Sequence, residues 1–201
     1  MTRAVAWDID GTLVDSEPLH HLALMTVSAR YGVRIAEDDE GYIGVSMDQV
    51  WARLRTLYPD ALQESEWAQA ITDVYLARSG ELRAFPGALT AMAALQQAGI
   101  RQCCASNSAR AIVDANLTAI GALPIVEFAI SRDDVTSGKP DPAPYREACR
   151  RLQLGAADVL VVEDSETGIA SARAAGCPVL RFGAEFAGYE QVLATALGGG
   201  V

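Results

Sequence analysis

Two aspartates one residue apart, Asp8 and Asp10, follow a short apolar run and are followed at once by Gly11-Thr12-Leu13-Val14-Asp15-Ser16. On extended backbone, residues i and i+2 point the same way, so both carboxylates could face one reacting centre. A carboxylate can act as nucleophile toward phosphorus and form an aspartyl-phosphate. A second acid can protonate the leaving oxygen and later deprotonate the attacking water. Phosphoryl transfer concentrates negative charge on equatorial oxygens, which a hard cation and fixed donors must offset. Such groups occur further along, in Ser106-Asn107, Gly138-Lys139-Pro140 and Glu163-Asp164-Ser165. Asp8 and Asp164 could hold magnesium, which takes a few carboxylate or carbonyl oxygens and keeps several waters. Lys139 and the Ser106 hydroxyl would face the phosphoryl oxygens, and Gly11 permits a sharp turn. Singly, each signal is weak: Asp-x-Asp is common on surfaces, a lone lysine is usually solvated, and Glu163-Asp164-Ser165 could cap a helix.

Their weight comes from where they fall along the predicted strands and helices. The run 4–8 reads as a buried strand. From about 19 to 80 the pattern is helical, over 19–31, 47–58 and 64–78, with breaks at Gly32, Gly44, Pro59 and Gly80. After Phe85-Pro86-Gly87, helices at 87–97, 109–120, 144–152, 166–175 and 189–197 alternate with strands at 100–105, 126–130, 158–162 and 179–182. That alternation predicts an α/β fold, a doubly wound parallel-sheet (Rossmann-like) core over 1–15 and 84–201, with a helical domain inserted at 16–83. The glycines at 198–200 read as a frayed tail. In such a sheet, ligands collect at the carboxyl ends of the strands, and the four segments above fall at those ends.

The composition narrows the partners. The 201 residues include 16 Lys and Arg against 26 Asp and Glu, a formal charge of −10. That balance gives no electrostatic footprint for nucleic acid or an anionic membrane, so an anion must be bound locally. No apolar run has the length of a membrane-spanning helix, and the N-terminus meets Asp8 too early for a signal peptide. Four cysteines without zinc-ligand spacing read as buried thiols in a cytoplasmic protein. Asn116-Leu117-Thr118 matches a glycosylation sequon, a pattern frequent by chance.

The four segments together resemble the signature motifs of the haloacid dehalogenase superfamily, in the family's order and across the whole chain. The resemblance implies that Asp8 is the nucleophile and Asp10 the general acid/base, with Lys139 part of the catalytic set. Magnesium would be held by the Asp8 carboxylate, the Asp10 backbone carbonyl and Asp164, with Glu163 assisting through water. Ser106, Asn107 and Lys139 would bind the phosphoryl group. The segment 16–83 resembles the mobile cap of the phosphatase and beta-phosphoglucomutase branch. True dehalogenases lack the second acid, because halide leaves without a proton, so Asp10 argues for phosphate esters. The expected function is therefore hydrolysis of a small phosphorylated metabolite, such as a sugar phosphate, by a monomeric enzyme.

A sugar-phosphate mutase is the alternative. In the beta-phosphoglucomutase branch a similar Gly-Val-Ser is followed by an arginine that grips the distal phosphate. Here Gly44-Val45-Ser46 is followed by Met47 and Asp48, and a second cation of that branch would fall near Ile71-Thr72. Neither position is basic, although Arg53, Arg55 and Arg78 lie elsewhere in the insert. His20 fits the mutase hinge position, and His21 adjoins it on the first helix of the insert. The missing cations favour the phosphatase.

Overall fold

A computed structural model describes residues 2–42, 45–183 and 187–198. In chain order the elements are β1 (Ala4–Trp7), α1 (Glu17–Arg30), α2 (Met47–Leu54), α3 (Glu64–Arg78), α4 (Ala88–Gln97), β2 (Arg101–Ala105), α5 (Arg110–Ala119), β3 (Ala129–Ile130), α6 (Ala143–Leu152), β4 (Val159–Glu163), α7 (Glu166–Ala175), β5 (Val179–Arg181) and α8 (Tyr189–Leu197). The chain folds into two compact units, 1–15 with 83–201, and 16–82.

The first unit is an α/β fold built on a parallel five-stranded sheet of order β3-β2-β1-β4-β5. The order reverses beside β1, whose neighbours β2 and β4 lead to opposite edges. Strands β1 and β4 are buried throughout, as near-continuous apolar runs must be when helices cover both faces of a sheet. Ala4, Ala6, Val159 and Val161 pack with Tyr145, Ala148 and Leu152 of α6 on one face. The buried indole N–H of Trp7 donates to Gln102 Oε1 at 3.0 Å, and Gln102 Nε2 donates to the Met92 carbonyl of α4 at 2.8 Å. One glutamine thus satisfies a buried donor that would otherwise be unpaired and adds a second partner to a helix carbonyl.

Two elements are shorter than the sequence suggests. The strand expected over 126–130 is reduced to Ala129–Ile130. The N–H groups of Ile125 and Val126 both turn back to the Ala122 carbonyl, and an edge strand has only one neighbour to extend it. The helix expected over 47–58 ends at Leu54 and continues as a 3-10 turn, Arg55–Leu57. Pro59 disfavours helical backbone at the residue before it, and Tyr58 is extended, with ψ 157°.

The second unit is helical in its described residues. α1 packs on α3, around buried Ala23, Val27, Trp67, Ile71 and Tyr75. The Trp51 and Tyr58 rings stack 5.7 Å apart, and the Ser28 and Tyr58 hydroxyls meet at 2.7 Å. No helix among the described residues is long and apolar enough to cross a membrane. All four cysteines are buried and free. The expected tail residues Gly199 and Gly200 lie outside the described residues.

Gln102→Leu strands the buried Trp7 N–H. We expect about 2 kcal/mol or more of lost stability, read as a lower urea midpoint at constant slope. An unchanged midpoint would contradict the pairing.

Candidate active site

The sheet order reverses between β1 and β4, where the residues of interest converge. Trp7 is in register with Val162, and the Asp8 N–H donates to the Val162 carbonyl at 2.9 Å. Asp8 therefore leaves the sheet beside Glu163, the last residue of β4. Lys139, from the loop before α6, reaches the same point: its Nζ donates to Asp8 Oδ1 at 2.5 Å, Glu163 Oε1 at 2.5 Å and the Ala105 carbonyl at 2.7 Å. All three ammonium donors are thereby used.

Asn107 is placed differently from the sequence expectation. Its Oδ1 accepts from the Lys139 N–H at 2.7 Å, and its Nδ2 donates to the Lys139 carbonyl at 3.0 Å. The side chain is spent on clamping the lysine loop. That loop lies outside regular structure, so its backbone groups need such partners. What Asn107 can offer an anion is its backbone.

Glu163 is fully buried. Beyond Lys139 it accepts from the Tyr145 hydroxyl at 2.7 Å and, through Oε2, from the Ser165 hydroxyl at 3.0 Å. Ser165 also caps α7, accepting from the Gly168 N–H at 3.0 Å. Gly168 is a constraint in itself, because a Cβ there would overlap the Glu163 carboxyl group. Gly11 does the same for Asp164 and also has φ +81°, a conformation that suits glycine. Thr12 donates to Asp164 Oδ1 at 3.2 Å, while the Tyr189 hydroxyl of α8 donates to the Thr12 carbonyl at 2.6 Å.

The charge balance is uneven. Asp8, Glu163 and Asp164 place ligand oxygens within 4.8 Å of one another, and Lys139 alone opposes them at hydrogen-bond range among the described residues. Burial, then the nearby Glu163 charge, pushes the Asp8 carboxyl well above the usual range, although Lys139 pulls it down. Burial and Glu163 likewise push Asp164 up to about 6. Burial alone would lower the Lys139 ammonium, but Asp8 and Glu163 outweigh it and hold it above its ordinary value. Such a cluster of hard oxygen donors with surplus negative charge fits a divalent cation, whose charge would reverse the upward pressure on the carboxylates.

Asp10 is held apart from this cluster. The Ser106 and Ser108 hydroxyls each donate to its Oδ2 at 3.0 Å, and Asn116 Nδ2 of α5 donates to its Oδ1 at 2.9 Å. The expected phosphate ligand Ser106 is thus bonded to the second aspartate here. Tyr145, Ser108, Asn116, Thr12 and Gly168 do not stand out as site residues in the sequence. Of these, only Gly168, in the first turn of a predicted helix, carries a local signal.

Within the second unit, Arg53 donates to the Gly41 carbonyl at 2.7 Å, Arg55 to the carbonyls of Tyr58, Pro59 and Asp60, and Arg78 is doubly bonded to Glu81. Ile71 is a core residue, and the Thr72 hydroxyl donates to the Ala68 carbonyl at 3.0 Å. His20 lies on the Tyr75 ring, 4.4 Å between centroids, and His21 Nε2 meets the Ala36 carbonyl at 2.9 Å. Gly44 lies outside the described residues. Val45-Ser46 precede α2, which begins at Met47 and Asp48.

Comparison with known proteins fits this arrangement. The family model of haloacid dehalogenase-like hydrolases matches residues 2–176. A plasmid phosphoglycolate phosphatase of Cupriavidus necator is 33% identical over 90% of this chain and 81% of its own. The crystal structure of CbbY from Rhodobacter sphaeroides in complex with phosphate superposes with a TM-score of 0.80, at 28% identity, covering 94% of this chain and 92% of that one. A structure described as a putative beta-phosphoglucomutase, from Thermotoga maritima, gives 0.75 at 25% identity, covering 98% and 93%.

Gly168→Ala forces a methyl group into the Glu163 carboxylate. We expect about 1–3 kcal/mol of destabilisation from overpacking and turnover of a phosphate ester lowered about tenfold or more. Wild-type melting and turnover would show that Glu163 has slack the geometry denies.

Proposed function

This chain belongs to the haloacid dehalogenase-like hydrolase family and is one of its phosphatases; within that family we propose that it hydrolyses small phosphomonoesters, with magnesium, through an aspartyl-phosphate on Asp8. The observation that carries this reading is the pairing of Lys139 Nζ with Asp8 Oδ1 at 2.5 Å beside Glu163 and Asp164. A carboxylate so placed, at the carboxyl end of β1, has one oxygen engaged and the other available to attack.

In the first half-reaction, an Asp8 carboxylate oxygen forms a bond to phosphorus as the ester P–O bond breaks. Asp10 gives its proton to the departing alkoxide. In the second, Asp10 takes a proton from the attacking water, whose oxygen bonds to phosphorus and releases the Asp8 carboxylate with inorganic phosphate. The sum is ester plus water to alcohol plus phosphate. Lys139 orients Asp8, and to bind a phosphoryl oxygen its ammonium would exchange one of its three present acceptors for it. The Ser106 hydroxyl and the Asn107 backbone complete the anion's surroundings. Asp8, the Asp10 carbonyl and Asp164 would hold magnesium, which would supply charge compensation for the phosphoryl oxygens. Glu163 fixes Lys139 and assists the metal through water.

The helical unit, 16–82, is proposed as the cap that selects the substrate. A relative named phosphoglycolate phosphatase makes phosphoglycolate the first ester to test, with sugar phosphates next. The commitment of Arg53, Arg55 and Arg78 to partners within their own unit, and the burial of Ile71, argue against a grip on a second phosphate. That supports hydrolysis over mutase chemistry.

Asp8→Asn should retain the fold and lose turnover to below about a hundredth of wild type, a loss of more than about 2.7 kcal/mol in transition-state stabilisation. Asp10→Asn should be impaired most with alkyl phosphates and least with p-nitrophenyl phosphate, whose leaving group needs no proton. Equal impairment with both would contradict the acid role. Chelation should abolish activity, magnesium should restore it, and calcium, which prefers more ligands at longer distances, should inhibit. Full activity in excess chelator would remove the metal from the reaction.

A further inference from the structure

Three donors that reach Asp10 come from one stretch of chain, from the end of β2 into the helix after it. Asn116 is fully buried, on the face of α5 that also carries Ile112, Val113 and Leu117. An amide on an apolar helix face is unfavourable without a partner, and this one donates to Asp10 Oδ1 at 2.9 Å across 106 positions of sequence. Ser106 and Ser108 take the other oxygen, each at 3.0 Å. The Ser108 N–H in turn donates to Ser106 Oγ at 3.0 Å, which sets the direction of that hydroxyl.

A serine hydroxyl has one proton to donate. Ser106 can give it to Asp10 or to a phosphoryl oxygen, and not to both at once. When a phosphoryl group takes the Ser106 hydroxyl, Asp10 keeps Ser108 on Oδ2 and Asn116 on Oδ1. Two fixed donors on different oxygens define the plane of a carboxylate, where one leaves it free to turn. We propose that Asn116 and Ser108 are positioning residues for the acid–base carboxylate, aiming Asp10 at the leaving-group oxygen once Ser106 has been claimed by substrate. This rests on the reading of Asp10 as the acid and base of the reaction.

The test compares kcat/KM for an alkyl phosphate and for p-nitrophenyl phosphate in Ser108→Ala, Asn116→Ala, Ser108→Thr and Asp10→Asn, with the full chain and magnesium. kcat/KM covers steps up to ester cleavage, so proton donation enters it only for the alkyl ester. Ser108→Ala and Asn116→Ala should each lose about tenfold with the alkyl ester and less than about twofold with the aryl ester. Ser108→Thr, which keeps the hydroxyl, should recover most of the loss. Ser108 is partly exposed, so Ser108→Ala carries the test if Asn116→Ala fails to fold. Equal losses with both esters, or no loss with either, would overturn the positioning role. If Asp10→Asn is selective for the alkyl ester while the Ser108 and Asn116 variants are not, the positioning inference alone fails. If Asp10→Asn is not selective, the acid–base reading falls and takes the inference with it.

Discussion

A buried ammonium shared between two buried carboxylates organises this molecule. Lys139 Nζ bridges Asp8 and Glu163 at 2.5 Å each, with side chains no more than 9% exposed. Moving such charges out of water is unfavourable by several kcal/mol per ion unless geometry and further hydrogen bonds compensate. Much of the surrounding structure supplies that compensation. Ala105 takes the third ammonium donor, Tyr145 and Ser165 donate to Glu163, and Asn107 clamps the lysine backbone on both sides. Even so, negative charge remains in surplus once Asp164 is counted, and that surplus gives the cluster its fit to a divalent cation.

The sheet order explains how residues 131 positions apart meet. Reversal of strand order beside β1 opens the crevice where α/β sheets bind ligands. Parallel register then sets Asp8 next to Glu163 without any side-chain device. The second carboxylate, Asp10, is two residues further on, beyond β1, and is tied to β2 and α5 instead of β4. One strand end thus feeds two environments: one around Asp8, rich in carboxylates, and one around Asp10 that includes two hydroxyls and an amide. The difference follows from which neighbouring strand each aspartate faces, and it suits the separate roles proposed for them.

Much of this is legible in the sequence. The apolar run before Asp8, the strand–helix alternation after Phe85 and the ends of α3 and α8 follow local rules of periodicity and punctuation, and the structure reproduces them. Asp8, Glu163 and Asp164 likewise sit at or just beyond predicted strand ends, while Lys139 lies in the loop that follows the strand predicted at 126–130. The rest depends on long-range contacts that no local pattern encodes. Asn116 looks like part of a chance sequon, and only the fold brings its amide to Asp10, 106 positions away. Tyr145 reads as an ordinary apolar-face residue of α6 until its hydroxyl meets Glu163. Asn107 has the polarity of a phosphate ligand, but its side chain is taken by Lys139 32 residues away. The short β3 escapes prediction because its apolar run carries no trace of the turn bonds to Ala122.

Asp8 is proposed to carry the phosphoryl group between two displacements at phosphorus. The stereochemical course of hydrolysis decides this, using a phosphorothioate ester made chiral at phosphorus with two oxygen isotopes, hydrolysed in water carrying the third, and reading the configuration of the inorganic thiophosphate released. Two successive in-line displacements, first by Asp8 and then by water, each invert phosphorus and together give net retention. Retention is the predicted result. Net inversion would mean that water attacks the ester directly, and it would contradict the account.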